Sequence, residues 1–170
     1  MKTKHYTQKK KHGGYVVLGL CIAVLCGCVG CQSKEERYVD LGLPSGTLWK
    51  ATNEDKHYNY DDAVKEFGDN LPSKEQWEEL RDMCTWTWIE KHPHKYKVKG
   101  PNGKSIEFPV SGLYYCDGDV GAICSDGNYW SSTPSDELGL DLAWNLHFDY
   151  EEVDIYQSFC CYGYAVRLIK

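Results

Sequence analysis

The runs Gly127-Asn128-Tyr129-Trp130-Ser131-Ser132-Thr133-Pro134, Ala143-Trp144-Asn145-Leu146-His147-Phe148 and Gly163-Tyr164-Ala165-Val166-Arg167-Leu168-Ile169 decide how this chain is expected to fold. Trp144, Leu146 and Phe148 alternate with Asn145 and His147, the period of two that marks a strand with one buried face. Tyr164, Val166 and Leu168 repeat the pattern, with Ala165, Arg167 and Ile169 on the other side. Asp149-Tyr150-Glu151-Glu152 is polar enough for a turn, and Val153-Asp154-Ile155-Tyr156 resumes the alternation. The stretch reads as an antiparallel set of strands ending at residue 170.

Upstream, the period lengthens to that of helices. Asn59 can cap a helix whose Tyr60, Ala63, Val64 and Phe67 recur at i, i+3, i+4 and i+7, with Gly68 as its stop. Ser73 followed three residues later by Gln76 is a capping box, and Trp77, Leu80 and Cys84, with Met83 beside them, form the apolar side of the helix that follows. Glu78 and Glu79 are neighbours about 100° apart on that helix, so they cannot converge on one bond and belong to a solvated face. Residues 38–41, 47–51 and 85–89 read as strands. Residues 95–99 and 105–110 read as a hairpin across Gly100-Pro101-Asn102-Gly103-Lys104. His92 and His94 fall in a loop with no third metal ligand nearby in sequence.

Residues 111–128 read as a Gly- and Asp-rich loop. Asp117, Asp119 and Asp126 offer oxygens of the kind calcium takes, but their spacing departs from that of an EF-hand and equally suits ordinary turns. No cofactor is expected. Tyr114 and Tyr115, with Asp117, Asp119 and Asp126, are the candidate ligand-binding residues, because aromatics among adaptable polar neighbours suit recognition surfaces.

The N-terminus is expected to be an address. Lys2, Lys4, Lys9, Lys10 and Lys11 precede the apolar run 15–25, which is about half the roughly 20 residues of a membrane-spanning helix. Leu25-Cys26-Gly27-Cys28-Val29-Gly30-Cys31 then resembles a bacterial lipobox in two frames. Cys31 is preferred over Cys28 as the acylated residue, because Gln32-Ser33-Lys34-Glu35-Glu36 resembles a short surface-export signal of one Gram-negative phylum. The expected divisions are a lipoprotein signal peptide over 1–30, a lipidated tether over 31–37 and one domain over 38–170. The expected location is the outer membrane, held by lipid and exposed at the cell surface.

Losing residues 1–30 removes those five lysines and no acid, taking the formal charge from −6 to −11. Such a surface disfavours nucleic acid as a partner. Five cysteines follow the lipid cysteine: Cys84, Cys116, Cys124, Cys160 and Cys161. Being odd in number, they allow at most two disulfides within the chain. Cys116 with Cys124, and Cys84 with Cys160 or Cys161, are the pairings open at this point.

Four stretches, 38–49, 71–80, 129–133 and 163–167, together resemble the Fibrobacter succinogenes major paralogous domain. The match spans nearly all of the expected mature chain, although the region between Thr52 and Leu71 is shorter than usual and the cysteines lie outside the pattern. The resemblance implies an α+β, C-type-lectin-like fold, with an N-terminal strand paired to the C-terminal one and two helices packed to one side. It makes Trp77, Trp130 and Trp144 core residues. It carries over no catalytic residue. Cys160-Cys161 lacks the spacing of the formylglycine-generating enzymes, and Trp144-Asn145-Leu146 keeps two residues of the lectin Trp-Asn-Asp motif. The expected function is a non-catalytic module binding an extracellular glycan or protein. The alternatives are a structural envelope protein without a small ligand and, behind it, a cysteine-dependent oxidase.

Overall fold

The computed structural model describes residues 37–122, 125–135 and 137–170. The signal-like run, Cys28, Cys31, residues 32–36 of the tether and Cys124 lie outside them. Among the described residues no helix is long and apolar enough to cross a membrane.

The architecture of the described residues is α+β, with two α-helices and several antiparallel sheets. Strands β1 (Tyr38–Asp40) and β2 (Leu48–Lys50) form a hairpin. Helix α1 (Tyr60–Phe67) begins at Asn59, whose side chain accepts from the Asp62 amide, and ends at Gly68. Helix α2 (Lys74–Met83) carries the full capping box: Ser73 Oγ accepts from the Gln76 amide, and Gln76 Oε1 accepts from the Ser73 amide at 2.8 Å. Glu79, on the outer side of α2, accepts from the amide and hydroxyl of Ser45, so an apparently idle acid anchors the first hairpin to the helix.

Strands β3 (Thr85–Ile89), β4 (Lys95–Lys99) and β5 (Ser105–Pro109) make one antiparallel sheet. The turn at 100–104 packs directly under the first hairpin. A Cβ placed on Gly100 would lie 2.7 Å from Leu41 Cβ and closer still to the Leu41 carbonyl oxygen, a backbone atom that cannot swing aside. Gly100→Ala should therefore lower stability by about 2 kcal/mol through overpacking, read as a shift in urea midpoint.

Strand β6 (Leu113–Tyr114) and strand β7 (Val120–Gly121) form a small hairpin inside the region expected to be loop. Strands β8 (Gly127–Ser135), β9 (Leu142–Phe148) and β10 (Val153–Phe159) then build the antiparallel sheet predicted from the closing stretch. The β9–β10 turn forms as the acids suggested, with Asp149 Oδ1 accepting from the amides of Glu151 and Glu152.

This sheet is covered on both faces. Tyr129, Leu146, Phe148 and Ile155 join Trp49, Trp77, Leu80 and Phe108 in one buried cluster. From its other face, Trp130 and Ala143 join Tyr58, Tyr60, Ala63, Leu71, Val166 and Leu168 in a second. Aromatic contacts run through both, at 4.8 Å between the centroids of Trp49 and Trp77 and 4.5 Å between Trp130 and Tyr164. Trp77 and Trp130 are core as expected, whereas Trp144 is half-buried, with Lys74 Nζ 4.2 Å from its ring centroid. Val64 and Met83 also face solvent, which narrows the apolar side of each helix.

Residues 163–170 depart from the expected strand with one buried face. Both sides of the segment are buried, Arg167 included. Its backbone exchanges partners almost residue by residue. Tyr164 bonds Tyr58, Ala165 bonds Asn128 and Trp130, Leu168 accepts from Lys50, and Lys170 bonds Leu48 in both directions. A segment with two partnered faces has no solvent side, and so the alternation in its sequence marks two different cores.

The cysteines pair differently from either expectation. Cys116 is bonded to Cys161, with Cα atoms 5.0 Å apart, and Cys84 and Cys160 are free. Cys116 is thereby unavailable to Cys124, and neither Cys160 nor Cys161 is joined to Cys84. The bridge fastens the β6–β7 hairpin to the turn after β10, bringing together segments 45 residues apart. Only the tertiary fold makes them neighbours.

Candidate functional site

The second face of the β8–β9–β10 sheet is apolar at one end and polar at the other. Residues directly opposite one another across antiparallel strands share a face. The register sets Asn128 against His147, Trp130 against Asn145, and Asn145 in turn against Tyr156. Trp130 goes into the second core, while the polar members line a cleft of about 390 Å³ together with Leu113, Asp126, Glu152, Ser158 and Tyr164.

Two amides sit at the base of this cleft. Asn145 is 1% exposed and Asn128 is 3% exposed. Each uses one end of its amide: Asn145 Nδ2 donates to Ser158 Oγ at 3.3 Å, and Asn128 Oδ1 lies 3.0 Å from His147 Nδ1. The other ends, Asn145 Oδ1 and Asn128 Nδ2, have no hydrogen-bond partner among the described residues. A buried polar atom left in that state costs about 1–3 kcal/mol, so the pair marks a place where the fold gives up stability. Ser158 also accepts from the Tyr164 hydroxyl at 3.0 Å, and the Tyr156 hydroxyl donates to Glu152 at 3.0 Å. Tyr156, 42% exposed, meets the His147 ring edge-on at 5.6 Å. The cleft thus has a polar floor, an aromatic wall and two carboxylates, Asp126 and Glu152, in its lining.

The candidate residues from the sequence are divided between two places. Asp126 lines the polar cleft. Tyr114 and Tyr115 are exposed and line a separate cleft of about 360 Å³ with Lys56, His57, Asn59, Cys161 and Gly163. There His57 bonds the Ser111 carbonyl oxygen at 2.8 Å and its ring meets Tyr114 at 5.1 Å; burial lowers its pKa. Asp117 and Asp119 lie on the exposed β6–β7 turn, where Asp117 Oδ1 accepts from the Asp119 amide at 3.0 Å. Among the described residues, no three His, Cys, Asp or Glu side chains are grouped to hold a metal ion. His94 stacks on Trp88 at 5.6 Å.

Asn128, Asn145, His147, Tyr156 and Ser158 went unselected in the sequence. Their signal was present: Asn145 and His147 share one face of a strand, and a second strand carries Tyr156 and Ser158 two apart. Without knowing that residues 163–168 fold over this face, it reads as the solvent side.

Several thiols and phenols outside this cleft hold their protons unusually tightly. Burial, together with a hydrogen bond to Asp141, pushes the Cys160 thiol up to about 12, and burial raises Cys84 to about 11. Tyr58, Tyr60 and Tyr129 are each pushed up to about 12, chiefly by burial. All five groups hold their protons more tightly folded than unfolded, so their contribution is complete below their ordinary values and is lost as pH rises towards 12. Arg167 works in the opposite sense, its pKa lowered to about 10 by burial. Five groups against one predict a net loss of stability between about pH 9 and 12, which urea melts at stepped pH would show as a falling midpoint.

No family model, curated protein or solved structure matches the chain.

Proposed function

We propose that this chain is a surface-exposed lipoprotein whose C-type-lectin-like domain is a non-catalytic binding module, with the polar cleft on β8–β10 as its site for an extracellular glycan or protein. The observation that carries the reading is a pair of buried amides, on side chains that line an open cleft, each with one hydrogen-bonding atom unspent. A site can tolerate such atoms when a ligand or ordered water supplies their partners. The fold assignment draws support from the antiparallel pairing of Leu48 and Lys50 with the segment 168–170. The two helices and the long excursion between β5 and β8 are in keeping with it.

The cysteine-oxidase alternative needs a reactive pair, and the chemistry here is unfavourable. Cys161 is bonded to Cys116, and Cys160, with its pKa raised to about 12, is a neutral thiol at physiological pH. The anchor belongs to the proposal through the sequence Cys28-Val29-Gly30-Cys31.

Cells displaying the full chain supply the test. Radiolabelled palmitate should be incorporated and lost with Cys31→Ala but retained with Cys28→Ala. Intact cells should capture a glycan from an array or a protein in a pull-down, and Asn145→Ala should reduce that capture about tenfold or more. Capture unaffected by Asn145→Ala would move the site elsewhere, and blank arrays and pull-downs would remove the binding-module reading.

A further inference from the structure

The two unspent atoms are of opposite kinds, and this narrows the chemistry of the occupant. Asn145 Oδ1 can only accept and Asn128 Nδ2 can only donate. A carboxylate or phosphate satisfies the donor and leaves the acceptor empty. An ammonium or guanidinium does the reverse. A hydroxyl does both, and two adjacent hydroxyls serve both amides at once. Turning both amides over exchanges their roles and leaves the same requirement, and turning one alone leaves two atoms of one kind, which hydroxyls, donors and acceptors at once, also satisfy.

Charge acts in the same direction. Asp126 and Glu152 line the cleft, and among its described lining residues there is no lysine or arginine to offset them. An anionic ligand would meet two carboxylates in a partly desolvated space. Tyr156 supplies the apolar component. Its hydroxyl is held by Glu152, and its half-exposed ring lines the cleft beside Asn145, its direct neighbour across the β9–β10 ladder. The negative face of an aromatic ring attracts aliphatic C–H groups, which a sugar ring presents in the same molecule as its hydroxyls. Neither unspent atom is itself open to solvent, so each amide must turn about its broad terminal torsion to meet a ligand, which leaves the strand unchanged.

Resting on the binding-module reading, we infer that the cleft takes a neutral saccharide unit, held without a metal ion by adjacent hydroxyls on Asn128 and Asn145 and by Tyr156 against its C–H face.

The side-chain amide signals of Asn128 and Asn145 report on this directly. The full chain in detergent micelles, labelled with nitrogen-15 and kept in EDTA, would be titrated with galactose, glucose, mannose and N-acetylglucosamine, and separately with glucuronate and acetamide. At least one neutral sugar should shift both amides saturably, with glucuronate at least tenfold weaker. Tyr156→Leu, at an exposed position that leaves the fold intact, should weaken the sugar about tenfold, and Asn145→Ala should abolish the shift. Shifts by glucuronate or acetamide, or capture of a protein blocked by Asn145→Ala, with no response to neutral sugars, would overturn the saccharide inference and leave the binding module standing. Amides that respond to nothing, alongside exchange with a trapped water in water-selective spectra, would overturn both.

Discussion

Replacing Arg167 with alanine should lower stability by about 4 kcal/mol, enough to unfold much of a marginally stable population. The side chain is fully buried, and its hydrogen bonds go to neutral oxygens. Nη1 donates to the Lys50 carbonyl and Nη2 to the Glu107 carbonyl, each at 2.7 Å, while Nε donates to Asn53 Oδ1 at 2.9 Å. Its guanidinium also lies 4.4 Å from the centre of the Phe108 ring. Alanine would orphan all three oxygens and leave a cavity in place of the planar group, and each orphaned acceptor alone costs about 1–3 kcal/mol. Lysine keeps the charge but lacks the fork, so Arg167→Lys should recover less than half the loss. Urea unfolding would show both as lower midpoints with little change in slope. A midpoint unmoved by Arg167→Ala would mean that this group does not join the three segments it bonds.

Trp77→Ala should cost nearly as much, about 3–5 kcal/mol. The indole is fully buried within α2 and touches Trp49, Phe108 and Tyr129, with centroids 4.8, 5.8 and 6.2 Å away. Its Nε1 donates to the Trp130 carbonyl at 3.3 Å, so it also fixes the helix to β8. No neighbour is small or mobile enough to fill the space, because most of the surrounding groups are themselves ring systems under tight packing. Met83, six residues on in the same helix, is largely exposed, and Met83→Ala should change stability by less than about 0.5 kcal/mol. Thermal melts of the two variants side by side would separate the cavity effect from any general loss of helix propensity.

Local signals in the sequence were translated accurately where the physics is local. The Ser73–Gln76 capping box, the Asn59 cap, the hairpin across 100–104 and the alternation in β9 and β10 each depend on residues within a few positions of one another. Asn145 shows where this stops. Its place opposite the core face was readable, but its near-complete burial is set beside Tyr164, from a distant segment that no window around Asn145 contains. Arg167 was missed for the same reason, since its partners lie 117 residues away at Lys50 and 60 away at Glu107. Cys116 and Cys161 are joined by the same long-range geometry, and counting cysteines could not choose them. The cleft was therefore visible only as ingredients.

The segment 163–170 has one further consequence, for the order in which the molecule assembles and comes apart. Tyr164, Val166 and Leu168 belong to one hydrophobic cluster while Ala165 and Ile169 belong to the other. Neither cluster can be completed without this strip, and releasing it opens both together. Unfolding should therefore be a single cooperative transition, with the amides of Ala165 and Ile169 exchanging with solvent only through global opening. Folding faces the converse constraint: the strip must find partners near Leu48 and Tyr58 across most of the chain, which favours slow, late closure. The cleft, whose floor this strip helps to bury, would be among the last features of the native state to form.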